Sequence, residues 1–362
     1  MFSLTRILID RTIFNLMVAL VGIIAPQAIF AAEGAKALQQ LAERANQEGK
    51  VVFISAGIAP ETLRELNLQF NKKFGVNIKV EGLPLSSSEA VTRLLQEKAA
   101  KKISMDILHP SYSLAFRLVG EGLLSDFDWI GVFAERLPGI REVATKVPAV
   151  LKNKGLDFQH LVYIPMYNTN LVPKGDVPKK WADFLNPKWK GRKIIIDPRG
   201  TSLYLLFLEY GESWTLEFAS KLVQQDPLFE KGAPAISRAV ARGEAPLGIT
   251  VLSDIIEQKH KKMPVEVLLP EVVPIVPQVL LPIEGSPNRN AAKLFSAWMS
   301  TEGLAIEEKA DFSSRAWPGS GGAQARVLET ASVKIVFASS LEEVEAAGRV
   351  LSKVQKIMQR QK

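Results

Sequence analysis

Two apolar runs and the crossover segment between them set how this chain can fold. Leu161-Val162-Tyr163-Ile164-Pro165-Met166 has the composition of a buried strand. It runs straight into Tyr167-Asn168-Thr169-Asn170-Leu171-Val172-Pro173. A turn, a short helix around Trp181 to Leu185, and a second turn at Asn186-Pro187-Lys188-Trp189-Lys190-Gly191 follow. A new apolar strand then begins at Lys193 and ends at Ile196. A chain that leaves a strand this way is leaving one αβ lobe and starting another. With 362 residues, 47% of them hydrophobic, it has enough apolar material for two such units, each of about 150 residues.

The flanking sequence supports the two-lobe reading. Lys50 to Ser55 is an apolar, β-branched run, and Leu63, Leu66, Phe70 and Phe74 then recur at helical spacing until Gly75. Val76 to Glu81 reads as the next strand, and Ser86 to Glu89 forms a capping box for the helix that buries Val91, Leu94 and Leu95. Met105 to His109 is a third strand, followed by a helix over Leu114 to Gly122. Three βα units in succession predict a parallel sheet. Beyond the crossover, strands are expected at Lys193–Ile196, Pro246–Thr250 and Val265–Leu269, with helices at Leu203–Tyr210, Trp214–Gln225 and Ala235–Ala241. Val279 to Ile283 and the helix Ala291 to Met299 read as a return to the first lobe. The last helix, Leu341 to Met358, starts from a capping box at Ser340 and Glu343.

Arg6 and Arg11 precede an apolar run from Leu16 to Ala25, and the small residues Ala28, Ala31 and Ala32 follow. That is the pattern of an export signal, with cleavage expected after Ala31. The chain has no cysteine, so disulfides, thiolate ligands, a cysteine nucleophile and a lipid-modified cysteine are all excluded. Net charge is +7, but the lysine doublets are scattered, which argues against a nucleic-acid partner. Enzyme signatures such as Gly-x-Ser-x-Gly, a phosphate-loop lysine motif or His-Glu-x-x-His are missing. Gly319-Ser320-Gly321-Gly322 lacks the lysine and the preceding strand, and reads as a surface turn.

The crossover also resembles that of periplasmic solute-binding proteins of ABC importers, in the class that includes ferric-iron binders. The family shows an aromatic-Asn-Thr, a Pro-x-x-Trp-x-Asp-Leu helix and a Pro-x-Trp-x-Gly turn. Here stand Tyr167-Asn168-Thr169, Pro178-Lys179-Lys180-Trp181-Ala182-Asp183-Phe184 and Pro187-Lys188-Trp189-Lys190-Gly191, departing at Phe184. Pro287, Ala291, Phe295 and Ser300-Thr301-Glu302-Gly303 come close to a further family pattern, so the resemblance covers about Lys50 to Gly303. It implies an α/β, two-lobe periplasmic-binding fold of type 2, with a discontinuous first lobe and a two-strand hinge. The expected division is a signal over 1–31, lobe one over 32–166 and 271–362, and lobe two over 167–270. The resemblance implies a periplasmic, monomeric protein without cofactor that carries a small anionic or polar organic solute to a membrane permease. The family's iron binders use adjacent tyrosines after a Gly-Glu and strand segment. The matching segment here, Arg242 to Asp254, contains none, and the five tyrosines of the chain never occur as a pair.

In open αβ sheets, ligands meet the carboxyl ends of strands, where loops run into helix N-termini. That rule selects Ser55 and Gly57 after the first strand, Ser87 and Ser88 at the second helix, and His109 and Ser111 after the third strand. The second lobe contributes Arg199, Thr201, Ser202 and Thr250, and Tyr167 lies at the hinge. Arg199 beside a Gly-Thr-Ser helix start suits an anionic group, although an ion pair with Asp197 explains it equally well. Two rivals stay open: a metal held by His109, Asp254 or a bound anion, and an enzyme using His109 with Asp106.

Overall fold

The structure, a computed structural model, describes residues 32–54 and 58–359; the expected signal segment lies outside them. After a helix over residues 32–48 (α1), the first lobe is laid down as β1 (Lys50–Ile54), α2 (Pro60–Phe74), β2 (Lys79–Leu83), α3 (Ser87–Ala99), β3 (Ile107–Leu108) and α4 (Tyr112–Phe116). Two further short helices, α5 (Trp129–Phe133) and α6 (Ile140–Thr145), precede the long strand β4 (Leu156–Asn168). The second lobe adds β5 (Ile194–Ile196), α7 (Phe207–Gln224), β6 (Leu228–Phe229), α8 (Ala233–Ala241), β7 (Leu247–Val251), α9 (Leu252–His260) and β8 (Val265–Val267). The return is β9 (Val272–Pro282), then α10 (Arg289–Trp298), α11 (Leu304–Asp311), α12 (Ala323–Leu328), β10 (Lys334–Val336) and α13 (Leu341–Gln359).

Strand order is β2-β1-β3-β9-β4-β7-β5-β6, with β10 on β9 and β8 on β4. Strands β1, β2 and β3 are parallel, as the βα units predicted. The strands β4 and β9 are shared between the lobes. The first half of β4 pairs antiparallel with β9, and from Tyr163 onward it pairs with β7 and β8 instead. At its other end β9 pairs with β3 in lobe one. These two strands are the two-strand hinge, and they make lobe one discontinuous.

The crossover motif is explained by what its residues touch. Trp181 is fully buried and donates its ring N–H to the Val272 carbonyl at 2.8 Å, tying the short helix to hinge strand β9. Asp183 accepts from the N–H groups of Lys179 and Lys180, at 2.8 and 3.0 Å. Asn168, buried at the end of β4, donates to the Val240 carbonyl at 2.8 Å and accepts from the Asn170 N–H at 2.9 Å. Phe184 packs in the same core, so the leucine of the family pattern is replaced by a larger apolar side chain at no polar cost.

In the first lobe, Phe53, Leu66 and Phe70 form one core with Leu294, Phe295 and Trp298 of α10. The rings of Phe70 and Phe295 meet edge to face, with centroids 5.1 Å apart. The final helix departs from the expected division. Val350, Val354 and Met358 of α13 belong to the core of lobe two, with Trp181 and Phe218, while Val344 packs on the lobe-one cluster around Tyr112. Amphipathic spacing identifies the buried stripe of such a helix but not the lobe it lies on. Gly200 marks the contact: its φ is +68°, and a Cβ there would come within 2.5 Å of Val354.

A buried polar network sits on the hinge. The Asp157 carboxyl, fully enclosed, accepts from the Tyr112 hydroxyl at 3.0 Å and the Trp317 ring N–H at 3.0 Å, and lies 3.2 Å from His160 Nε2. His160 Nδ1 accepts from the Ala316 N–H at 2.8 Å, so Nε2 carries the proton toward Asp157. The β4 register shifts between Asp157 and His160, and this irregularity brings both side chains to the same network.

Candidate functional site

A cleft of about 410 Å³ lies between the lobes. Lobe one supplies Ser87 and His109, and the hinge strands supply Gln159, Tyr163 and Gln278. Arg199, Thr201, Ser202, Thr250 and Asp254 come from lobe two, and Glu307 and Asp311 from α11.

Of the residues selected from sequence, Ser87, His109, Arg199, Thr201, Ser202 and Thr250 therefore line one cavity. Ser55 and Gly57 fall outside the described residues. Ser88 does not line the cleft; its hydroxyl lies 3.4 Å from that of Ser86, on the exposed side of the helix start. Ser86 caps α3 with Glu89 as expected. Ser111 is bridged to Gln278 and shares a 3.3 Å contact with Ser113, just outside the cleft lining. Tyr167 points away: it pairs within β4 with Leu247 and Glu266 and packs on the core of lobe two.

Arg199 is held by its neighbour. Its Nε donates to both Asp197 oxygens at 2.9 and 3.1 Å, and Nη2 donates to Oδ2 at 2.5 Å. Burial works to raise the Asp197 pKa, but the Arg199 bonds and the Gly232 N–H outweigh it and hold the carboxyl below its usual range. Thr250 donates to the Ala233 carbonyl at 2.8 Å, and Ser87 donates to the His109 carbonyl at 3.2 Å. The His109 ring lies between Phe53 and Phe158, with centroids 5.4 and 6.0 Å away. Burial pushes its pKa down to about 4, so the ring is neutral at pH 7.

The far end of the cleft is acidic. Burial, with repulsion from Glu257, pushes the Asp254 carboxyl up to about 7 against the opposing pull of Arg238. Burial, with Asp311 nearby, pushes Glu307 up to about 8. Glu307 and Asp311 were not foreseen, nor were Gln159, Tyr163 and Gln278. The visible signal was a glutamine in each of two otherwise mostly apolar hinge strands, since polar side chains inside such runs need a partner. Asp106, the partner suggested for His109 in an acid–base pair, is committed elsewhere: it accepts from the Val52 N–H and from Asn288. It does not line the cleft.

Six polar side chains lining this cleft carry buried atoms without a hydrogen-bond partner among the described residues: His109, Gln159, Ser202, Asp254, Gln278 and Glu307. Buried polar groups are almost always satisfied. A larger open groove of about 1020 Å³ beside α9, α11 and α12 has none among its lining residues. The unmet hydrogen bonds are therefore concentrated in the interlobe cleft and not in the larger groove.

Solved structures share this architecture. The chain aligns with the substrate-binding protein of an ABC transporter from Agrobacterium tumefaciens at a TM-score of 0.67 and 17% identity, covering 85% of this chain and 95% of that one. AfuA of Actinobacillus pleuropneumoniae, with fructose-6-phosphate bound, aligns at 0.65 and 20% identity, covering 84% and 97%. Iron-bound HitA of Pseudomonas aeruginosa aligns at 0.63 and 16%, covering 85% and 99%. A Haemophilus influenzae protein described as uncharacterized is 32% identical over 141 residues; the match covers 37% of this chain and 41% of that relative. Residues 66–323, from α2 to the start of α12, match the family of bacterial extracellular solute-binding proteins. With the bilobal fold, the shared hinge strands and a family match across most of its length, the chain belongs to the bacterial extracellular solute-binding proteins.

Proposed function

We propose that this protein is the extracytoplasmic solute-binding subunit of an ABC importer, taking a small polar organic solute between its lobes and passing it to a membrane permease. The unmet hydrogen bonds of the cleft carry this reading. A solute seated there would exchange its water for fixed donors and acceptors from both lobes, and closing about β4 and β9 would follow from that gain. No covalent step is part of the reading, because Asp106 is spent on Val52 and Asn288 and leaves His109 without an acid–base partner.

Iron is the second reading, since two of the similar structures are described with iron bound, one of them with citrate as well. Against it, the described residues contain no group of three or more His, Asp or Glu placed to hold a metal ion. The cleft's single tyrosine, Tyr163, is half-buried, and its desolvation raises the phenol pKa, which disfavours the phenolate a ferric ion needs.

Arg199 tests the organic reading. Its Nη1 edge has no bond among the described residues and its side chain is half exposed. Arg199→Ala weakens an anionic solute by about tenfold to a hundredfold, equivalent to about 1.5–3 kcal/mol. Arg199→Lys recovers only part of this, because the planar fork is lost. Calorimetry with the strongest compound from a thermal-shift screen of organic acids, phosphonates, amines and ferric citrate measures both. Undiminished affinity of an anionic solute in a folded Arg199→Ala protein assigns Arg199 to Asp197 alone.

Export is part of the same proposal. Cleavage after Ala31 leaves a mature chain beginning at Ala32, where α1 begins, and no helix among the described residues is long and apolar enough to cross a membrane. N-terminal sequencing of the fractionated protein reads the cleavage point; an intact Met1 in the membrane fraction contradicts it.

A further inference from the structure

The charges that line the cleft are unequal. Asp197, Asp254, Glu307 and Asp311 are its carboxyls, and Arg199 is its only guanidinium or ammonium group among the described residues. Arg199 is bonded to Asp197, so that pair cancels. Three carboxyls remain, and no basic side chain lines the cleft beside them. Arg238 is the positive charge that acts on Asp254, and it lies outside the lining.

These three carboxyls come from both sides of the opening. Asp254 is in the first turn of α9, which packs on β4, β7 and β8 of lobe two. Glu307 and Asp311 are one helical turn apart on α11, which packs on α2 of lobe one and touches α9. Glu307 is 2% exposed and its Oε2 has no partner; Asp254 Oδ2 has none either. The same cavity holds an independent sign of a missing ligand. Gln278 on hinge strand β9 and Ser202 of lobe two are 8% and 3% exposed, and Gln278 Oε1 and Ser202 Oγ are unpartnered. At the α9–α11 end the orphaned atoms are both carboxyl oxygens, Asp254 Oδ2 and Glu307 Oε2, so the group that would meet them there is a donor.

We propose that the α9–α11 end of the cleft is a subsite for a protonated amine of the solute, with Asp254 and Glu307 accepting from it across the lobe boundary and Asp311 adding its charge. An ammonium group is compact, carries three donors and one positive charge, and meets this acceptor set directly. Without it, closing the lobes brings like-charged groups together in a dry site, or requires them to be protonated. Burial has already moved Asp254 and Glu307 toward the protonated form. With the amine present, the same carboxyls on two bodies become a latch, and the solute's positive charge is what favours the closed form. Arg199 and the Ser202 end remain available to an anionic or hydroxylated tail. This inference rests on the solute-binding reading and specifies one end of its ligand.

Matched compounds that differ only by amine against hydroxyl test it. Calorimetry at pH 7.5 compares 3-aminopropylphosphonate with 3-hydroxypropylphosphonate, β-alanine with 3-hydroxypropionate, and 1,3-diaminopropane with 1,3-propanediol. In at least one pair the amine binds tenfold or more tightly than its hydroxyl partner. Glu307→Gln and Asp254→Asn each cut that preference to about threefold or less, in proteins whose thermal melts show them folded. Equal or tighter binding of the hydroxyl members overturns the subsite. So does stabilisation by ferric citrate or calcium with no response to any amine. Small-angle scattering separates failure of the subsite from failure of the wider reading. Closure with a hydroxyl or anionic compound alone removes the amine and keeps solute capture, whereas no closure with any compound of the panel or the broader screen removes both.

Discussion

Replacing Asp157 by alanine lowers the unfolding free energy by about 3–5 kcal/mol, measured by urea denaturation at pH 7. The Asp157 carboxyl is the common acceptor for Tyr112, Trp317 and His160, all enclosed or nearly so. Its removal strands two buried donors at once, the ring N–H groups of Trp317 and His160, while the Tyr112 hydroxyl keeps the Lys146 carbonyl at 3.3 Å; each unpaired group costs about 1–3 kcal/mol. Part of that sum is recovered by relaxation or an entering water, which sets the lower end of the range. Asp157→Asn keeps the shape and one acceptor oxygen but turns an N–H₂ group toward donors, so it falls between wild type and alanine. The network joins α4, β4 and the segment after α11, so the loss is global rather than confined to a loop. An alanine variant within 1 kcal/mol of wild type would mean that these side chains repair their bonds among themselves.

Glu307→Gln stabilises the ligand-free protein at pH 9 by on the order of 3–4 kcal/mol and has little effect at pH 5. The sign follows from the direction of the shift. Burial first, then Asp311, raises the folded-state pKa of Glu307 to about 8, above the ordinary value of 4.5 that applies once the chain unfolds. Between those values the folded state keeps a proton that the unfolded state has released. Stability therefore falls as pH rises through that window, by up to about 1.4 kcal/mol per pH unit for this one group. Glutamine keeps the shape and never ionises, so the slope from this site disappears. Asp254, raised to about 7, contributes in the same sense over a lower window and remains in the variant. Urea titrations at pH 5, 7 and 9 give the two slopes. A wild-type stability flat from pH 5 to 9 would mean that Glu307 is solvated in solution and not enclosed as described.

The fold was legible where local chemistry decides it. The β-branched run at Lys50–Ile54, the Ser86 capping box and the glycine stop at Gly75 all act within a few residues of themselves. The two helices expected at Leu203–Tyr210 and Trp214–Gln225 are separated at Gly211, whose φ of +81° supplies the break between them. Hinge strand β9 was visible only at its end. Pro274, Pro277 and Pro282 disguise its 11 residues, since proline gives no N–H to a ladder and argues against an interior strand. The strand tolerates them because its partners change along its length, from β10 to β4 to β3.

The site divided along similar lines. Residues at strand ends and helix starts, such as Ser87, His109 and Thr250, could be chosen by the general rule for open αβ sheets, and they share one cavity. Glu307 and Asp311 could not. They lie about fifty positions beyond Asp254 on an ordinary amphipathic helix, and only the return through β9 and the π turn Met299–Gly303 brings α11 to the opening. Arg199 shows the opposite case. Its local setting suggested an anion receptor, while a carboxyl two residues earlier occupies much of its fork.

The C-terminal helix has a mechanical consequence. Helix α13 is fastened to lobe two along α7 and rests its first turns on α4 of lobe one. A bilobal body joined by two strands alone would swing freely in one plane and twist in another. A nineteen-residue rod fixed to one body and leaning on the other acts as an outrigger. Rotation of one body against the other moves Val344 across its lobe-one contacts, so the motion of the joint works against the packing of this helix.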